Sequence, residues 1–130
     1  MARAGRLISD ERIVKVRAGE AALTARVNAI FDDADVVLTP GTAAGPPRVG
    51  AFAKRGAFVT ASATMGRSPF QAIFNATGQP AAVVPWGLDR TGLPTSIQLV
   101  GRPFDEATLL ALSTQIEVAH PWADRRPRVS

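Results

Sequence analysis

Residues 74–101 read FNATGQPAAVVPWGLDRTGLPTSIQLVG, and the stops and apolar runs in this stretch decide the fold. Gly78 supplies a left-handed helix stop, and Pro80 prevents the helix from continuing. The run at 81–84 is wholly apolar, which predicts a strand buried on both faces. Residues 95–100 predict its neighbour. The connection at 85–94 holds Asp89-Arg90-Thr91-Gly92 and is too short for a crossover helix, so the two strands are expected to pair antiparallel.

Working outward, Ser68-Pro69-Phe70-Gln71 reads as a helix start. Serine caps, proline suits the first helical position, and glutamine three residues on reaches back. That helix is expected over 69–77. Downstream of Gly101, Asp105 reads as a cap flanked by Phe104 and Leu109, with Leu109, Leu110, Leu112, Ile116 and Val118 carrying a helix to about Ala119. Residues 120–130 read as an extended surface tail. Near the start, Ser9 with Asp10 and Glu11 marks another helix, with Ile8 and Ile13 spaced for a staple across the cap. Ile13, Val16, Leu23, Val27, Ile30 and Phe31 form one apolar stripe through about Asp33. Gly19 and Glu20 interrupt it, predicting a bend or an exposed centre. Glu11 and Lys15 are spaced for a weak helical ion pair. Residues 36–39 predict a strand ended by Pro40. Residues 41–67, rich in Gly, Pro and Ala, predict mostly loop with a helical turn near 57–63. A loop of that length serves a site or packs on further structure.

Composition narrows the function classes. The chain has 130 residues, a formal charge of +4 and 46% hydrophobic residues, and no apolar run approaches the roughly 20 residues of a membrane span. There is no charged leader followed by an apolar core, so the expectation is a cytoplasmic protein. Zero cysteines exclude disulfides and thiolate zinc sites and agree with a reducing compartment. Thirteen of the fifteen basic residues are arginines, but they are scattered without interleaved aromatics, so nucleic-acid binding is not expected. No cofactor is implied.

The chemistry-bearing residues are few. The serines are Ser9, Ser62, Ser68, Ser96, Ser113 and Ser130, and none lies in a Gly-Ser-Ser or Gly-x-Ser-x-Gly setting. Ser62 alone sits in a small-residue loop, and Lys15 and Lys54 are the only lysines. His120 is the sole histidine, without cysteines or clustered acids, so no metal site is expected. Asp32-Asp33 and Asp105-Glu106 are paired acids at predicted helix ends, where capping explains the second pair. Trp86 and Gly87 follow directly on the apolar strand, and strand ends in open α/β sheets are where ligands tend to bind. They are the candidate substrate-binding residues.

The order of these segments, with DVVLTP at 35–40, PPRVGAF at 46–52, the 74–101 stretch and GRPFDEATLL at 101–110, resembles the C-terminal portion of the amidase signature family. The resemblance implies an α/β fold, a mixed sheet flanked by helices, with residues 1–130 forming one partial domain. It also implies hydrolysis of carboxamides by a serine activated through a second serine, on a cis peptide bond, by a neutral lysine. No segment of this sequence matches those groups, so no catalytic residue is assigned, and the chain alone is expected to be inactive. The loop after the apolar strand lies near the substrate pocket in such relatives, which again singles out Trp86 and Gly87. A small amide is the expected substrate only in a form completed by an N-terminal portion. The alternatives are a non-catalytic module pairing with a separate N-terminal half, or self-associating through uncovered sheet surface, and a truncated gene product.

Overall fold

The computed structural model describes residues 9–125. Helix α1 (Asp10–Asn28) runs into a short 3-10 turn (Ala29–Asp32), followed by β1 (Val36–Pro40), α2 (Ala57–Met65), α3 (Pro69–Thr77), β2 (Ala81–Leu88), β3 (Pro94–Gly101) and α4 (Glu106–Ala119). The fold is α/β. Its three strands form one sheet in the order β1-β3-β2, antiparallel throughout, with Val84 opposite Ile97 and Leu38 opposite Leu99. The pairing of the 81–84 and 95–100 segments is as the short connection demanded.

The strand period of two sorts β3 into two faces. Leu99 meets Val84 and Leu109 on the α4 side, where Ile97, Leu112, Ile116 and Trp122 also pack. Gly101 belongs to this face, where an added Cβ would press on Leu109. Val100 faces the other way, onto Val27, Phe31 and Phe74 from α1, the 3-10 turn and α3. The buried polar residues Thr77, Gln79 and Gln98 on that side are each paired, as burial requires. Gln79 Nε2 donates to Asn28 Oδ1 at 2.7 Å, the Thr77 hydroxyl meets Gln79 Oε1, and Gln98 Nε2 donates to Thr39 Oγ1. Arg102 ties the end of β3 to the start of β1, donating to the Phe31 carbonyl at 2.8 Å and pairing with Asp35 at 3.0 Å.

Several sequence expectations hold locally. Ser9 caps α1 by accepting from the Arg12 amide, Asp105 caps α4 through Thr108, and Gly78 takes φ +80° with its amide on the Phe74 carbonyl. Helix α1 is continuous through Gly19, and the exposed centre expected there is present. The exposure extends over the whole first half, where the apolar residues Ile13, Val14 and Val16 meet no core. Ile8, the other half of the expected staple, lies outside the described residues, as do 126–130. Within 120–125, Trp122 packs into the α4-side core.

Other expectations are overturned. The 81–84 run is not buried on both faces: Val84 is buried, but Val83 is 57% exposed, because β2 is an edge strand with cover only on its α4 side. Ser68 makes no side-chain cap bond. Gln71 does not reach back to it either, because its amide donates to the Gly41 carbonyl across the fold. Phe104 does not staple onto Leu109. It takes φ +65°, and that turn leaves it 95% exposed.

The edges carry a further pattern. The Gly101 amide donates to the Pro80 carbonyl, and the Gly41 amide to the Ser96 carbonyl. Antiparallel bonding alternates along a strand, so Ala81, Val83 and Pro85 turn their backbone polar groups outward from β2. Val36, Leu38 and Pro40 do the same from β1. Each proline therefore sits where its missing N–H costs no ladder bond.

Candidate functional site

The 41–47 segment is irregular in pattern yet pinned on every side. The Gly41 amide reaches Ser96 O at 2.9 Å, the Ala43 amide reaches Arg67 O at 2.9 Å, and Arg67 Nη1 donates to Gly45 O. The backbone approaches closely at Gly41, where a Cβ would displace Ser96 Oγ and crowd the Ser96 Cβ and carbonyl oxygen. Short-range periodicity could not reveal this wall, since its fastenings come from residues 22 to 55 positions away.

The opposing wall is the β2–β3 turn. Asp89 Oδ1 accepts from the Thr91 amide at 2.8 Å, the Thr91 hydroxyl at 2.6 Å and the Leu93 amide at 3.0 Å. Gly92 completes the turn at φ +83°. Between the two walls lies a cleft of about 300 Å³ lined by Thr42, Gly45, Asp89, Pro94, Thr95 and Ser96. The sequence signal for it was Asp-Arg-Thr-Gly, which reads as turn chemistry alone.

Thr91's hydroxyl, then the Leu93 amide, hold the Asp89 carboxyl below its ordinary value of 3.8, against a smaller opposing effect of desolvation. A lowered carboxyl contributes stability that is complete above its ordinary value and lost as pH falls through the lowered one. The turn is therefore expected to stay closed at neutral and mildly acidic pH. A ¹³C titration of the Asp89 carboxyl should give a midpoint below 3.8. A midpoint at or above that value would mean the Thr91 and Leu93 bonds do not hold it.

Trp86 is the extra residue of a bulge: Pro85 opposes Ser96 and Gly87 opposes Thr95, leaving Trp86 without a partner across the ladder. Bulges re-aim side chains, and this indole is 47% exposed with its ring centroid 4.8 Å from that of His120. Gly87, opposite Thr95, stands at the cleft end of the sheet. Ser62 is exposed within α2 and Lys54 is exposed in the preceding loop, and no hydrogen bond joins them. Among the described residues no group of three or more His, Asp or Glu side chains is placed to hold a metal, and no helix is long and apolar enough to cross a membrane.

Comparison with known proteins agrees with this architecture. The Amidase family matches residues 3–110. "Putative amidase AmiB2" of Mycobacterium tuberculosis is 58% identical over 130 residues, covering all of this chain and 28% of its own length. The fatty acid amide hydrolase of Arabidopsis thaliana is 37% identical over 92 residues, 71% of this chain and 15% of that protein. Among solved structures, 6-aminohexanoate cyclic dimer hydrolase superposes with a TM-score of 0.80 at 27% identity, over 93% of this chain and 27% of that one. The chain spans about 28% of the length of AmiB2. On the extent of the match and the shared fold, it belongs to the Amidase family.

Proposed function

We propose that this chain is the C-terminal scaffold of an amide hydrolase, and that the attacking serine and its lysine base come from the part of the family's length it does not span. The carrying observation is a family match across 3–110 in a chain where Ser62, expected in a loop, instead lies exposed on helix α2 with no hydrogen bond to Lys54. A serine hydroxyl is a weak nucleophile unless a base stands within hydrogen-bond reach and donors await the oxyanion. In this reading Trp86 and Gly87 line the substrate side of the completed site. The support is their place among the last residues of β2, beyond the 81–84 run that the sequence predicts as the strand, the bulge that takes the indole out of the ladder, and the cleft beside Gly87's partner Thr95. Such a protein would work in the cytosol on small amides, without nucleic acid.

The chain is also a candidate half of a two-piece enzyme. The observation favouring this is the pair of uncovered edges, whose outward polar groups at Ala81 and Val83, and at Val36 and Leu38, are ready to accept another strand. Both readings meet one experiment. The purified chain is incubated with p-nitroacetanilide and a fluorophosphonate probe, alone and after co-production with the N-terminal part of a full-length relative. Alone it should neither turn over nor label. The co-produced pair should do both, and Trp86→Ala in the pair should raise KM more than it lowers kcat. Labelling and turnover by the single chain would sink the scaffold reading, and failure of the pieces to co-purify would sink the two-piece reading.

A further inference from the structure

The cleft between residues 41–47 and the β2–β3 turn has a lining that neither the turn nor the sheet explains. Asp89 Oδ1 receives all three of the turn's side-chain-directed bonds, leaving Oδ2 free of them. Oδ2 is directed toward the opposite wall, 3.9 Å from where a Cβ on Gly45 would stand. Among the described residues no hydrogen bond or ion pair reaches it, and the one ion pair formed is Arg102–Asp35. Arg90, adjacent in the turn, does not pair with it, and Arg67, whose Nη1 donates to the Gly45 carbonyl, forms no ion pair with it either.

The remaining polar groups of the cleft add acceptors. The Thr42 hydroxyl donates to the Ala44 carbonyl at 3.1 Å, so only its lone pairs are left for a ligand. Ser96, which also lines the cleft, has an Oγ that lies against Gly41 and has no hydrogen-bond partner among the described residues. Pro94 and the pinned 41–45 backbone give walls that need no ordering when a ligand enters, and preorganised walls lower the cost of binding. An acceptor-rich cleft with one fixed, ionised carboxylate oxygen selects a compact cation with several donors. A primary ammonium has three donors and no acceptor.

We infer that this cleft is a binding site for a small primary alkylammonium group, with Asp89 Oδ2 as its charged acceptor and Thr42 and Ser96 as neutral ones. The assignment does not rest on amide hydrolysis, and its test involves no turnover. The ¹⁵N-labelled chain is titrated with n-butylammonium chloride, with n-butanol and with potassium chloride, following the amide shifts of Thr42, Gly45, Thr95 and Ser96. Butylammonium should give saturable shifts confined to these residues, while butanol and potassium should not. Asp89→Asn keeps an Oδ1 acceptor for Thr91 and Leu93, and should weaken binding by about fivefold, the upper range for a partly exposed charge pair. Equal shifts with butanol or potassium, shifts spread over the whole surface, or no shifts would each overturn the assignment. The comparison of the three solutes on the unmodified chain decides the matter even if Asp89→Asn proves unstable.

Discussion

Leu99→Ala is expected to cost this chain about 2–5 kcal/mol, the range for truncating a large aliphatic side chain in a close-packed interior. Leu99 is 0% exposed, lies on the central strand, and touches both Val84 on β2 and Leu109 on α4. Its removal opens a void beneath the helix that the neighbouring strands cannot fill without breaking register. Domain stabilities are only about 5–15 kcal/mol in total, so the variant should lose a large part of its folded population. Urea unfolding followed by far-UV circular dichroism measures it. A midpoint shift corresponding to less than about 1 kcal/mol would mean that α4 does not depend on this contact.

Phe74→Ala should cost a similar amount, about 3–5 kcal/mol, but with a different distribution. Phe74 is the α3 contribution to the cluster in which Val27 and Phe31 dock on Val100. Helix α1 has little else to hold it, since Val27 is its one buried residue and its first half is exposed. Loss of the ring should therefore release α1 and the 3-10 turn while β3 and α4, packed on the other face, stay in place. Hydrogen exchange distinguishes this from global unfolding, because proteins open in cooperative sub-units of unequal stability. Amides from about 20 to 32 should exchange much faster while those of Leu99, Val100 and Leu109 keep their protection. A uniform rise across both groups would show that the two faces unfold as one.

The uncovered surfaces gain meaning from the family. Ile13, Val14 and Val16 in the exposed first half of α1, Val83 on the open side of β2 and Leu38 on β1 are apolar side chains left exposed. Large exposed apolar patches on soluble proteins usually mark interaction surfaces. Pro40 and Pro85 limit how far an added strand can pair on each edge, because neither offers an outward N–H.

Local chemistry explains which sequence readings hold. Pro69 at the start of α3, Gly78 at its end, Asp105 before α4 and Ser9 before α1 each act within a few residues, so a short window contains both partners of the interaction. Antiparallel pairing of β2 and β3 was equally legible, since a ten-residue connection leaves the chain no room to return in parallel. The failures share the opposite cause. Gln71 bonds the carbonyl of a residue 30 positions away in preference to its own helix start. Phe104 follows a turn whose direction is set by where β3 ends and α4 must land on Leu99.

The amino-acid sequence by itself determined where α1, α3 and α4 begin and stop, the cores of the three strands, the family, and the lack of any serine–lysine motif, because these are properties of neighbours along the chain. The full helix α2, expected as mostly loop, and the extension of β2 to Leu88 were not legible in that way. Tertiary structure alone decided that β2 lies at an edge, that Trp86 is the bulged residue, and that Asp89 turns one carboxylate oxygen toward Gly45. Those outcomes depend on which distant segment occupies the space beside each residue, and packing chooses among many segments of similar local preference.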